Sequence, residues 1–172
     1  MNRTFPENRW GTHRPWLFRP GIALASTRVG ALAVRKLTPL DRAVMRRSSG
    51  RFTILGPLAL PTVLLTTTGR KSGLPRSSPL LCLHEGHRLI IVGSNFGQQH
   101  HPAWTANLLA DPRATATLGG ETIPVIATPI TEPEYAPLYG RFIAMASNYG
   151  AYRQRTSRPL RMFALTHDTA AR

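Results

Sequence analysis

Cysteine is nearly absent from this chain, and so are lysine and carboxylates: it has Cys82 alone, Lys36 and Lys71, and eight acidic residues in 172. A single thiol inside an apolar run excludes an intrachain disulfide and fits a reducing, cytoplasmic compartment. With only Asp41, Asp111, Asp168 and five glutamates, paired-carboxylate glycosidase chemistry and carboxylate-rich metal sites have little to draw on. Long apolar helices are missing too. The stretch Gly21 to Ala25 is too short for a signal-peptide core. The longest uncharged stretch, Phe52 to Gly69, contains Gly56, Pro57, Pro61 and five threonines, which break a membrane helix. No internal repeat or low-complexity tract is present.

Positive charge is what the sequence has in excess, with a formal net charge of +14. Residues 1–60 carry eleven Arg and Lys against Glu7 and Asp41. Such a balance predicts acidic partners: phosphorylated or polycarboxylate ligands, anionic lipid, or nucleic acid. Nucleic acid is not expected, because no RNA-reading motif occurs and the aromatics are not interleaved with the cations.

Residues 1–20 lack periodicity and read as an arm. From Ile22 to Arg47 apolar residues recur near a 3.6 period with Arg28, Arg35 and Lys36 between them, giving a basic amphipathic helix. Pro39 is expected to interrupt it and Asp41 to cap a shorter helix through Met45. Its simplest role is to plug one end of the domain; contact with an anionic membrane, placing the protein at the inner face of the cell membrane, is the alternative. The division expected is therefore 1–60, arm and helical segment, and 61–172, the main domain.

Beyond Pro61 the pattern shortens to strands at 62–68, 77–84, 88–94, 113–118, 121–129 and 161–166, mostly joined as hairpins. Helices are expected at 103–110, after Pro102, and at about 132–147, with Tyr135, Leu138, Phe142, Ile143 and Met145 partly buried. Six strands with helices between them describe an α+β, mainly β, small barrel rather than a doubly wound sheet.

Between the first two strands lies Gly69-Arg70-Lys71-Ser72-Gly73-Leu74-Pro75-Arg76, a turn suited to an anion. Its glycines allow positive φ and a concavity of N–H groups, Arg70, Lys71 and Arg76 add charge, and Ser72 adds a hydroxyl. A solvated hairpin loop is the plain alternative. It is not a Walker loop, since Arg70 stands where that motif needs glycine. The string Cys82, His84, His87 makes a weak zinc motif and no metal is expected. Arg153, Arg155, Arg158 and Arg161 read as a solvated basic face.

Taken with Gly93-Ser94-Asn95-Phe96-Gly97, the block His101-Pro102, Trp104, Asn107-Leu108 and Asp111-Pro112, and Tyr149 with Tyr152, this turn resembles the deazaflavin-dependent nitroreductase and quinone reductase family. The likeness runs from about Leu64 to Leu165. It implies an FMN-binding-like split β-barrel that uses coenzyme F420, a deazaflavin with a phosphodiester and a glutamate tail. By that resemblance Arg70, Lys71 and Arg76 pair with the anionic tail, while Gly69 and Gly73 shape the turn and Ser72 donates. Pro102, Trp104, Asn107, Asn95 and Gly97 face the coenzyme, and Ser94, Tyr149 and Tyr152 face the reacting ring and the acceptor.

The activity implied is hydride transfer to a quinone, nitroaromatic or other electron-poor acceptor. Asn95 and Phe96 replace a lysine and a glycine of that pattern, and Ala146 a tyrosine, which bears on acceptor choice. Rival readings are an FMN-binding barrel, or a protein that holds the coenzyme or a membrane without catalysis.

Overall fold

The computed structural model describes residues 4–6, 27–54 and 60–171. Six strands, β1 (Thr62–Thr68), β2 (Pro75–Glu85), β3 (Arg88–Val92), β4 (Arg113–Leu118), β5 (Glu121–Pro129) and β6 (Met162–His167), close into an antiparallel barrel in the order β1-β2-β3-β6-β5-β4. Strand β1 seals it, pairing with β2 on one side and β4 on the other. Closure removes the open edges that short strands otherwise present. Among the described residues four α-helices accompany it: α1 (Arg28–Arg47), α2 (Ala103–Ala110), α3 (Tyr135–Met145) and α4 (Asn148–Gln154).

Alternation along the strands builds two cores. In β3, Leu89 and Ile91 enter the barrel interior with Val63, Leu65 and Phe163, while Ile90 and Val92 pack outward with Leu138, Phe142 and Tyr149 of α3 and α4. Period-2 side chains buried on both faces explain why this strand reads as an unbroken apolar run. Cys82 lies fully buried within the barrel, where desolvation pushes its thiol up to about 12. It is an inert core residue. Phe5 is also buried, stacked on His167 with ring centroids 4.4 Å apart; most of the expected N-terminal arm lies outside the described residues.

Several expectations need correction. Pro39 does not interrupt α1, which runs through it as one 20-residue helix. Pro39 and Arg35, whose carbonyl loses its partner, are both exposed and open to water, while buried Ala31, Asp41 and Met45 hold the helix from its inner face. Asp41 is not a cap. Its Oδ1 accepts from Thr53 Oγ1 at 2.7 Å and from the Ile54 amide at 2.8 Å, tying the following segment to the helix. The cap is Thr27, which accepts from the Gly30 amide. The start expected at Ile22 falls outside the described residues.

The helix expected over 132–147 is α3, and Tyr149 and Tyr152 sit on the separate α4. Ile143 is exposed, its place in the core taken by Tyr139. The Tyr139 hydroxyl donates to the Tyr149 carbonyl at 2.8 Å, joining the two helices. Among the described residues no helix is long and apolar enough to cross a membrane.

Candidate active site

Two concavities meet on one side of the barrel. The first is an apolar cavity of about 220 Å³ between α1 (Val34, Thr38), the outer face of β2 and β3 (Leu81, Val92), and α4 (Tyr149, Tyr152). The second is an open trough lined by Arg42, Arg46, Arg70, Lys71, Arg76 and Arg161, with no Asp or Glu among the described residues of its wall. Arg42, Ser78, Asn95, Pro102 and Trp104 border both. An apolar chamber thus adjoins a cationic trough.

The cationic turn leaves β1 at Thr68 and returns at Pro75, its partner across the hairpin. Its construction differs from the expected nest of amides. The amides of Ser72 and Gly73 donate to the Gly69 carbonyl, Leu74 donates to Ser72 Oγ at 3.3 Å, and Arg70 donates to Asn107 Oδ1 at 3.1 Å. Charge on the exposed side chains of Arg70, Lys71 and Arg76, rather than converging backbone dipoles, is left to meet an anion. Of the two glycines only Gly73 takes positive φ, at 66°. Gly69 is needed for space: a Cβ there would stand 2.7 Å from Ser72 Oγ and 3.1 Å from the Leu74 carbonyl.

Trp104 and Asn107 share the inner face of α2, both buried. Asn107 Nδ2 donates to Thr67 Oγ1 at 2.9 Å, so both ends of its amide are engaged in fastening the turn to β1 and α2. Trp104 packs on Phe163 of the barrel core and still borders both concavities.

Ser94 stands two residues beyond the end of β3 rather than on the strand, and Asn95, Phe96 and Gly97 follow with φ of 48°, 55° and 78°. Three successive left-handed residues make a sharp elbow, stored strain of the kind found beside functional cavities. Glycine is required at 97, where a Cβ would lie 2.9 Å from Arg155 Cβ and 3.0 Å from the Tyr152 carbonyl. Asn95 Nδ2 donates to the His100 carbonyl. Phe96 meets Tyr152 edge-on, ring centroids 5.9 Å apart, and borders the apolar cavity.

Arg158, read from the sequence as part of a solvated face, is buried and holds this elbow. It donates to the carbonyls of Ser94 (2.8 Å), Gln98 (2.9 Å) and Gly93 (3.1 Å), and its Nη1 lies 3.1 Å from His101 Nδ1. Burial and neighbouring Arg161 draw its pKa downward, yet a guanidinium stays charged at neutral pH. Because Arg158 can only donate, His101 Nδ1 is the acceptor and Nε2 carries the proton. Desolvation first, then Arg161 and Arg158, lower the His101 pKa. A pattern of arginines gives no sign of which one carbonyls will surround.

Tyr149 is buried, and desolvation, followed by the adjacent Tyr152, raises its pKa; the hydrogen bond with the Ser94 side chain opposes this only in part. The phenol is therefore neutral at physiological pH. Tyr152 is raised as well, chiefly by burial, and its hydroxyl accepts from Asn148 Nδ2 at 3.2 Å. The structure thus brings Ser94, Asn95, Pro102, Trp104, Tyr149 and Tyr152 to the apolar cavity, and Gly69, Arg70, Lys71, Ser72, Arg76 and Asn107 to the trough. Gly73 and Gly97 shape the backbone nearby without lining either space.

Together the fold and the paired concavities define a split-barrel protein in which an apolar cavity adjoins a cationic trough. Residues 39–167 match the family model described as F420H(2)-dependent quinone reductase. The chain belongs to that family of oxidoreductases. It is 35% identical over 134 residues to the F420H(2)-dependent quinone reductase Rv1261c of Mycobacterium tuberculosis, covering 76% of this chain and 90% of that one. The solved structure of an F420-H2 dependent reductase, FDR-A, superimposes with a TM-score of 0.56 at 30% identity, covering 60% of this chain and 92% of that chain. Coenzyme F420 is the cofactor of this family, and the site fits it: an uncompensated cationic trough for the acidic tail beside an apolar chamber for the ring.

Proposed function

We propose that this protein transfers hydride from reduced coenzyme F420 to a quinone, or to a nitroaromatic of similar shape. The observation that carries this reading is the junction of a cationic trough, without a carboxylate among its described residues, with an apolar cavity walled by Trp104, Tyr149 and Tyr152. Arg70, Lys71 and Arg76 hold the phosphate and glutamate carboxylates, Ser72 donates its hydroxyl, and Asn107 keeps Arg70 in place. Pro102 and Trp104 form the wall shared by tail and ring, and the elbow from Asn95 to Gly97 closes the chamber.

When bound, F420 supplies a two-electron hydride donor with little tendency to one-electron steps. The acceptor takes that hydride and one proton to become a hydroquinone. Tyr149 remains a neutral phenol and so can donate a hydrogen bond to the acceptor oxygen on which charge develops, with Ser94 fixing its orientation. Anaerobic stopped-flow oxidation of reduced F420 by menadione tests this. The expected result is saturable oxidation in which Tyr149→Phe lowers turnover about ten- to a hundredfold with coenzyme affinity unchanged. No enzyme-dependent oxidation would refute the activity, and an equal effect on binding would refute the role of Tyr149.

Peripheral contact with an anionic membrane, where quinones reside, is part of the proposal. Val29, Leu32, Leu37 and Leu40 are exposed on the outer side of α1 among the exposed Arg35, Lys36 and Arg47, an arrangement that supports it. Sedimentation with phosphatidylglycerol vesicles should be lost when Leu32 and Leu40 are changed to serine; equal sedimentation by that variant would contradict it.

A further inference from the structure

Buried polar side chains around the site are otherwise engaged among the described residues. Asn107 uses both ends of its amide, Arg158 is ringed by three carbonyls and His101, and Asp41 accepts twice from the segment at 53–54. Against that background, two buried side-chain atoms at the cavity have no hydrogen-bond partner among the described residues: Arg42 Nε and Asn148 Oδ1. Both residues line the apolar cavity, Arg42 from α1 and Asn148 from α4. Asn148 is over nine-tenths buried, and its Nδ2 is already engaged with the Tyr152 hydroxyl. Turning the amide over would exchange which atom is left, not remove the surplus. Arg42 forms no ion pair among the described residues, although Asp41 is its neighbour in sequence.

A buried donor and a buried acceptor without partners are each unfavourable in the empty protein, and two of them on one apolar chamber are best understood as groups awaiting a ligand. Accordingly, we infer that Arg42 and Asn148 are the polar contacts of the quinone, so that helix α1 is a wall of the acceptor site. This inference rests on the function proposed above. Arg42 donates to a quinone carbonyl oxygen. Asn148 Oδ1 accepts from a hydroxyl of the hydroquinone, which has O–H groups the oxidised acceptor lacks. A donor and an acceptor on separate elements favour a flat ring bearing oxygen over a featureless hydrocarbon, and give the N-terminal segment a role in acceptor selection.

The test uses full-length Arg42→Met and Asn148→Leu, which keep side-chain volume and remove the unpaired atoms. Three readouts are taken: melting temperature without ligand, F420 binding by fluorescence, and menadione KM and kcat. Each variant should melt at the wild-type temperature or about 2–4 °C higher. Menadione KM should rise about tenfold or more, and F420 affinity should hold within about twofold.

If wild type neither binds F420 nor passes hydride to menadione, the proposed function itself fails, and this assignment with it. With wild type active, unchanged menadione KM in both variants overturns the assignment. So does a raised KM accompanied by a lowered melting temperature, which marks a structural role. Loss of F420 affinity alone in Arg42→Met would make Arg42 a contact of the coenzyme tail and overturn its part.

Discussion

Replacing Arg158 with methionine keeps the alkyl packing and removes every N–H with which it holds the elbow at 93–98. Three carbonyls lose a donor. That of buried Gly93 is left without one, that of Ser94 keeps the Gly97 amide at 3.0 Å, and that of the half-buried Gln98 can recruit water. At about 1–3 kcal/mol for a buried group left unsatisfied, the expected destabilisation is about 2 kcal/mol. For a chain of this size that lowers the melting temperature by roughly 4–8 °C. Arg158→Lys restores one donor but cannot span three carbonyls, so it should recover about half of the loss. Differential scanning calorimetry measures the stability. The menadione KM of either variant should rise with Ser94 displaced, while F420 affinity, set by the turn at 69–76, stays within about twofold. A methionine variant within about 1 kcal/mol of wild type would show that the elbow stands without its arginine and would refute the reasoning.

Two further perturbations probe the same loop. Gly97→Ala forces a Cβ against Arg155 and the Tyr152 carbonyl at a positive φ, and should cost about 1–3 kcal/mol with a higher acceptor KM; thermal melting at wild-type temperature would contradict this. His101 has a folded pKa below its unfolded value, so the neutral ring stabilises the fold above about pH 6.5. That contribution is lost as pH falls through the lower, folded pKa. His101→Asn, which keeps an acceptor facing Arg158, should flatten the decline in urea-unfolding free energy between about pH 7.5 and 5, and an unaltered slope would refute the linkage.

How much of this was legible in sequence depended on whether the signal was local. Four strands, β1, β4, β5 and β6, were readable to within a residue at each end because turns such as Gly119-Gly120, between β4 and β5, delimit period-2 runs. β2 and β3 were offset at one end, where the apolar pattern fades into the cationic turn and the elbow. The site was legible where motif and spacing coincide, in the turn at 69–76 and the face shared by Trp104 and Asn107. What escaped was tertiary. Nothing local distinguishes buried Arg158 from exposed Arg153, and Asp41 after Pro39 carries every mark of a cap until residues 53 and 54 fold back on it. Arg42 reads as one more surface cation on a basic helix. Only the approach of that helix to β2 and α4 places it at the mouth of the cavity.

The central claim is that the cationic trough grips an acidic tail while the apolar chamber takes the ring. Its most direct test is a fluorescence titration comparing whole coenzyme F420 with the same deazaflavin stripped of phosphate and glutamates, at low and high salt. The account predicts that the intact coenzyme binds about tenfold or more tightly, an advantage that shrinks as salt screens the charges and in a variant with Arg70, Lys71 and Arg76 neutralised. Equal affinity for the two molecules, indifferent to salt and to those three side chains, would contradict it.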